Sequence, residues 1–180
     1  MMPKPWKTVS SRVVYENPWT KIREDIAEMP NGKQTIYGVM QNVDAVGILP
    51  FIDDDHVIMV RQYRYVFGEN HRWEMPTGAV KENEDHEVAA RRELREEIGY
   101  DADSLQFLNT FYSSKSIVQE TVHVYVGHNL RQAQGTPDET EFLEVQTFPF
   151  KDVLQMVLDS EIRDSMTVVA VLHAARLRNE

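Results

Sequence analysis

The sequence predicts an α+β protein in which a mixed sheet lies between helices and a small antiparallel sheet comes first, and three observations carry that prediction. The opening forty residues are rich in strand-forming side chains and contain the hairpin dipeptide Asn31-Gly32. Two near-continuous apolar runs follow, separated by three aspartates. In the middle of the chain, a helix carries start and stop signals at both ends.

In order along the chain, residues 8–15, 20–29 and 34–41 intersperse Val, Ile and Tyr with polar residues and are expected as strands, with Asn31-Gly32 turning the second into the third. The runs 45–52 and 57–65 flank Asp53-Asp54-Asp55. Their apolar residues are continuous rather than alternating, which suits a central hairpin buried on both faces. A helix is expected over 84–98. Asn83 can cap it, Glu84, Asp85 and Glu87 suit the positive end of its dipole, and Gly99 can adopt the left-handed conformation that ends it. Strands over 105–112, 121–126 and 144–148 and helices over 152–158 and 165–177 complete the pattern, with no repeat, linker or low-complexity segment.

At 180 residues with 42% hydrophobic content, the chain suffices for one well-cored domain. Its formal charge of −10 argues against a protein that tracks nucleic-acid strands, because neutralising phosphates takes clustered Lys and Arg. A phosphate-bearing ligand is therefore expected to arrive with metal ions. The absence of cysteine removes disulfides and thiolate metal sites. Residues 1–7 lack the apolar run of a secretory signal, and no later run approaches the ~20 apolar residues of a spanning helix. The expectation is a soluble, cytoplasmic protein with neither a nucleic-acid nor a membrane partner.

Glu93, Glu96 and Glu97 stand three and four residues apart, so a helix gathers their carboxylates on one face. Solvated helices place opposite charges at that spacing. Here Arg92 with Glu96 does so, whereas Glu93 with Glu97 is a like-charge pair costing on the order of a few tenths of a kcal/mol. A bound cation would reverse the penalty, and oxygen ligands without His or Cys suit Mg²⁺ or Mn²⁺. From this cluster alone, a plain acidic surface helix is an equal alternative.

The flanking residues separate the two. Gly78-Ala79-Val80-Lys81-Glu82-Asn83-Glu84 leads through seven residues into Arg92-Glu93-Leu94-Arg95-Glu96-Glu97-Ile98-Gly99-Tyr100. This resembles the Nudix box at every fixed charged or glycine position, and Tyr100, where an aliphatic residue is usual, is the one departure. The resemblance implies the Nudix fold, an α/β/α sandwich with a mixed sheet, over 43–180, preceded by the antiparallel strands of 1–42. It implies metal ligation by Glu93 and Glu97, with Glu96 and the carbonyl of Thr77 contributing, while Arg92 orients a glutamate. The reaction implied is metal-assisted hydrolysis of a pyrophosphate bond.

Arg61-Gln62-Tyr63-Arg64 and Trp73-Glu74-Met75-Pro76-Thr77-Gly78 resemble the ADP-ribose pyrophosphatase and nucleoside diphosphate sugar hydrolase branch. In that branch the arginine matching Arg64 contacts a substrate phosphate. A structural salt bridge is the alternative. Arg61 should face the other side of its strand. Glu74 is expected to line the site or to pair with an arginine. Within Pro137-Asp138-Glu139-Thr140-Glu141, Glu139 resembles the general base and Glu141 a further metal ligand, with Glu96 and Glu97 as alternative bases. Ser113-Ser114-Lys115 departs from the branch's proline and glycine, and Met166 replaces a lysine common in sugar-nucleotide hydrolases, which favours ADP-ribose.

Relatives in this branch are homodimers whose amino-terminal strands cross over, so the first 42 residues are expected to dimerise. Trp6, Tyr15 and Trp19 are candidates to stack on a base or to pack at an interface. The histidines are scattered without metal-ligand spacing and receive no role. The competing functions are hydrolysis of a nucleoside triphosphate or an RNA end, and non-catalytic nucleotide sensing.

Overall fold

The structure is a computed structural model that describes residues 5–18, 20–70, 72–136 and 142–179. The chain forms two compact units, Met1–Val43 with Tyr112–Thr121, and Asp44–Phe111 with Val122–Glu180.

In the first unit, β1 (Lys7–Glu16), β2 (Lys21–Glu28) and β3 (Gln34–Gln41) form an antiparallel meander in that order. Gly32, at φ 82°, supplies the positive φ of the β2–β3 turn, as the Asn31-Gly32 dipeptide predicts. β1 is exposed along its whole length.

The second unit begins with β4 (Ala45–Pro50), followed by β5 (His56–Arg61), the short pair β6 (Tyr63–Arg64) and β7 (Glu69–Asn70), and β8 (Thr77–Ala79). The acidic turn between β4 and β5 is an Asx turn, with Asp53 Oδ1 accepting from the backbone N–H groups of Asp55 and His56, each at 2.8 Å. The two apolar runs are not the expected hairpin ladder. β4 pairs with β8 on one side and, in parallel, with a later strand on the other, while among the described residues β5 joins the end of the first run through the isolated Phe51–Val57 bridge rather than a ladder with β4. Continuous apolar sequence reports burial on both faces and carries no information about which strand lies alongside.

α1 (His86–Glu93) starts at Asp85, whose side chain accepts from the N–H groups of Glu87 and Val88 at 2.9 and 3.3 Å. The cap is therefore Asp85 rather than Asn83, which stands at φ 61° in the turn before it. After Glu93 the helix widens into a π-helical turn, Leu94–Ile98, and Gly99 ends it at φ 72° as expected.

β9 (Tyr100–Tyr112) starts five residues earlier than expected. β10 (Val118–Gln119) runs parallel to β3 and extends the first unit's sheet. β11 (Thr121–Gln132) and β12 (Glu144–Pro149) are followed by α2 (Phe150–Leu158) and α3 (Ser165–Arg178). The second unit's sheet has the order β8-β4-β11-β9, antiparallel at β8–β4 and parallel at β4–β11, and is thus mixed; β12 pairs with β5.

Side-chain alternation sorts these strands between two cores. Val46, Ile48, Ile58, Val60 and Tyr125 pack with Ala89, Ala90 and Leu94 of the α1 region. Leu49, Val57, Met59, Val122, Val124 and Val126 pack on the other face with Val153, Val157, Ala170 and Val171 of α2 and α3. Full burial of Val46, Ile48 and Leu94 contributes roughly 1.5–3 kcal/mol each and fixes the angle of α1 on the sheet. Among the described residues, no helix is long and apolar enough to cross a membrane.

Candidate active site

The site is assembled where β8 meets the end of α1. A Cβ at Gly78 would collide with the Glu93 carboxylate, so glycine here lets that carboxylate lie against the strand. Glu93 and Glu97 are each only 7% exposed, and the Thr77 N–H points at Glu97 Oε1 from 3.4 Å. The π-turn, with its i→i+5 bonding, gives this stretch more residues per turn than the α-helix that the spacing argument assumes. Glu93 and Glu97 nonetheless both turn inward, while Glu96 is half-buried beside them.

Arg92 organises the cluster. Its Nε and Nη2 donate to the two oxygens of Glu84 at 2.9 Å each, and Nη1 donates to Glu93 at 2.6 Å and to Glu96 at 2.9 Å. Nη2 also donates to the Ala79 carbonyl at 2.9 Å, tying the helix to β8. The hydrogen bonds from Arg92 hold the Glu84 carboxyl down at about 2, against the opposing effect of burial, and the same contacts raise the Arg92 pKa. Three carboxylates thus share one guanidinium, and Glu97 adds a fourth one residue beyond Glu96. Buried and half-buried oxygen donors carrying more negative than positive charge fit a divalent cation.

Arg64 and Glu74 come together. Arg64 Nε donates to Glu74 Oε1 at 3.1 Å, and Nη2 reaches the same oxygen. Glu74 is 3% exposed, whereas the Arg64 side chain keeps 36% of its surface. The carboxylate is an internal strut, and the Arg64 side chain it holds is partly exposed. Arg61 takes a separate course, to Glu144 and over the Trp73 ring at 4.7 Å from its centroid. The segment leading to Thr77 is clamped from α3: the Met75 N–H donates to Thr167 Oγ1 at 3.0 Å, and that hydroxyl donates to the cap residue Asp164 at 2.7 Å. Residue spacing gives no signal for this clamp, whose partners Met75 and Thr167 lie 92 residues apart.

Ser114 and Lys115 line a cleft of about 590 Å³ in the first unit, together with Tyr37 and Tyr112. In that unit Trp6 is half-exposed and meets Tyr37 edge to face, with ring centroids 6.2 Å apart. Tyr15 accepts a hydrogen bond from Asn17. Glu139, Glu141 and Trp19 lie outside the described residues.

Residues 41–167 match the NUDIX domain, and residues 6–40 match the nucleoside diphosphate sugar hydrolase N-terminal domain. An ADP-ribose pyrophosphatase of Bacillus subtilis (strain 168) is 32% identical over 167 residues, spanning 92% of this chain and 90% of that protein. A methanol dehydrogenase activator of Bacillus methanolicus is 30% identical over the same shares. The crystal structure of an ADP compounds hydrolase superposes with a TM-score of 0.90 at 23% identity, covering 99% of this chain and 97% of that one, and shows the shared fold. The chain belongs to the NUDIX domain family. It is a hydrolase of that family, with the box glutamates in place on the helix.

Proposed function

We propose that this Nudix hydrolase cleaves the pyrophosphate bond of ADP-ribose or a related nucleoside diphosphate sugar, giving a nucleoside monophosphate and a sugar phosphate. The observation that carries the reading is the convergence of Glu84, Glu93 and Glu96 on Arg92, with Glu97 buried beside them, in a chain whose residues 6–40 match the N-terminal domain of nucleoside diphosphate sugar hydrolases. The ADP-ribose pyrophosphatase and the GDP-mannose pyrophosphatases among its relatives support this substrate class.

Thr77, Glu93, Glu96, Glu97 and Glu141 would hold Mg²⁺ or Mn²⁺. Such ions, when bound, neutralise phosphate charge and make a bound water acidic. Glu139 takes the proton of the attacking water, a role otherwise open to Glu96 or Glu97. Arg64, steadied by buried Glu74 and partly exposed, contacts a substrate phosphate. Arg92 stays with the glutamates and sets their orientation. The protein acts as a homodimer in the cytoplasm. Support for dimerisation comes from the exposed Val9, Val13, Val14 and Tyr15 on β1 and Ile36 on β3, apolar surface that a second copy would cover.

The test is a Mg²⁺-dependent release assay across ADP-ribose, UDP-glucose, GDP-mannose and a nucleoside triphosphate, with products identified by chromatography. Preference for ADP-ribose, with AMP and ribose 5-phosphate as products, is the expected result. Preference for the triphosphate would overturn the substrate class and leave the metal site standing.

A further inference from the structure

Asp44 directly precedes β4, and its carbonyl accepts from the Val80 N–H at 2.8 Å, which fixes it beside β8. His86 is the first residue of α1, immediately after the cap. His123 lies on β11 opposite Val46, on the sheet face that α1 covers. Three segments far apart in sequence thus deliver two imidazoles and a carboxylate to one point. The two rings stack at 3.6 Å between centroids with 20° between planes. Asp44 Oδ2 stands 3.8 Å from His86 Nε2 and 3.7 Å from His123 Nε2, and the three atoms all lie within 4.8 Å of one another.

Those distances are too long for hydrogen bonds. His123 Nε2 is buried and has no hydrogen-bond partner among the described residues, an arrangement that is costly for a polar nitrogen. At the other side of the same ring, Thr110 Oγ1 lies 3.2 Å from Nδ1. In the tautomer whose Nδ1–H donates to that hydroxyl, the Nε2 lone pair faces the Asp44 carboxylate and the second imidazole, and three electron-rich atoms converge. A cation resolves that convergence. Donors about 2.0–2.2 Å from a tetrahedral ion stand roughly 3.4 Å apart, so the two carboxylate–imidazole distances need shorten only by a few tenths of an ångström, while the more exposed His86 ring must swing out of its stack on His123 to aim its lone pair at the same ion. The Asp44 and His86 side chains are 42% and 38% exposed, which leaves an entrance and a position for water.

We propose that Asp44, His86 and His123 form a second metal site, for a transition ion of the Zn²⁺ type, separate from the glutamate cluster. Imidazole with one carboxylate selects such ions over Mg²⁺, which prefers oxygen donors and retains its water. Thr110 is the group that orients His123 from behind. His86 and Glu93 are seven residues apart, ~10 Å along the helix, so one ion cannot serve both clusters. The site pins the start of α1 to β4 and β11, so binding raises stability.

The experiment is equilibrium dialysis of the full chain against Zn²⁺ in excess Mg²⁺, with metal analysis and thermal unfolding on the same samples. One Zn²⁺ per chain and a higher Tm are expected for the parent and for a Glu93→Gln/Glu97→Gln variant. His86→Ala, at an exposed helix start, should weaken binding at least tenfold and abolish the Tm shift, and His123→Asn should do the same. Undiminished binding by the folded His86→Ala protein, loss of Zn²⁺ on the glutamate substitutions, or no stoichiometric Zn²⁺ in the parent would each overturn the proposal.

Discussion

The two ends of α1 gather ligands in different ways. At its carboxyl end, glutamates one to four residues apart are collected by helical spacing, and a half-buried arginine bonded to Glu84, Glu93 and Glu96 holds them close. At its amino end, Asp44, His86 and His123 are collected by sheet topology, from three segments distant in sequence. The first end offers only oxygen and the second mostly nitrogen, so the two select different ions. Local spacing builds a site that can be read in sequence, and tertiary crossing builds one that cannot.

The strongest way to break the comparison is to remove ligands from one end and watch the other. Glu97→Gln keeps the shape of a buried side chain and takes away its charge. Turnover should fall by about 10³ with the fold intact by circular dichroism. Near-parental turnover would remove Glu97 from the metal assignment. The same variant should bind Zn²⁺ like the parent, because the other cluster shares no residue with this one.

Next in size is Arg92→Met. This leaves Glu84, Glu93 and Glu96 without their shared cation, and loss of one partner from a buried ion pair costs about 3 kcal/mol. Urea unfolding in the absence of divalent ions measures it, and added Mg²⁺ should recover part of the loss. A loss unaffected by Mg²⁺ would mean that the carboxylates do not gather around a common cation. Gly78→Ala acts more locally: the new Cβ displaces the Glu93 carboxylate, so the Mg²⁺ concentration for half-maximal rate should rise about tenfold. An unchanged Mg²⁺ requirement would show that Glu93 does not bind the ion from its position against β8.

How much of this was legible follows the same division. The Nudix box and its limiting glycine at Gly99 are consequences of residues close in sequence; the family match bears out the first and the left-handed Gly99 the second, while the burial of Glu93 and Glu97 comes from packing against β8 that spacing alone does not give. The cap was misplaced because Asn83 and Asp85 both qualify by residue type, and only the backbone decides: Asn83 is left-handed and Asp85 extended. Burial of β4 and β5 was readable from their apolar runs, but their partners, β8, β11 and β12, were not, since the ladder pairing depends on strands distant in sequence. The π-turn left no mark in the sequence, and the histidines lacked spacing because their common point is made by three separate elements.

A smaller effect separates the ends by pH. In the folded protein Glu84 titrates at about 2, below its ordinary 4.5, mainly because Arg92 donates to it. A lowered carboxyl pKa adds stability that is fully present above about 4.5 and is lost as the pH falls through about 2. Glu84→Gln should therefore flatten the parent's dependence of unfolding free energy on pH within that window. An unchanged slope would mean that the Arg92 contact does not persist in solution.

The smallest expected effect belongs to His86→Ala, and it separates the two ends most directly. His86 is at the first position of α1, and Asp85 supplies the cap, so the helix start survives the loss of the ring. What disappears is the ring stacked on His123 and the contact with Asp44, neither of which touches the glutamates. Mg²⁺-dependent kcat/KM, measured without Zn²⁺, should stay within about twofold of the parent. A large loss of activity under those conditions would mean that the amino end of α1 transmits to the glutamates, and that the helix joins what its two chemistries separate.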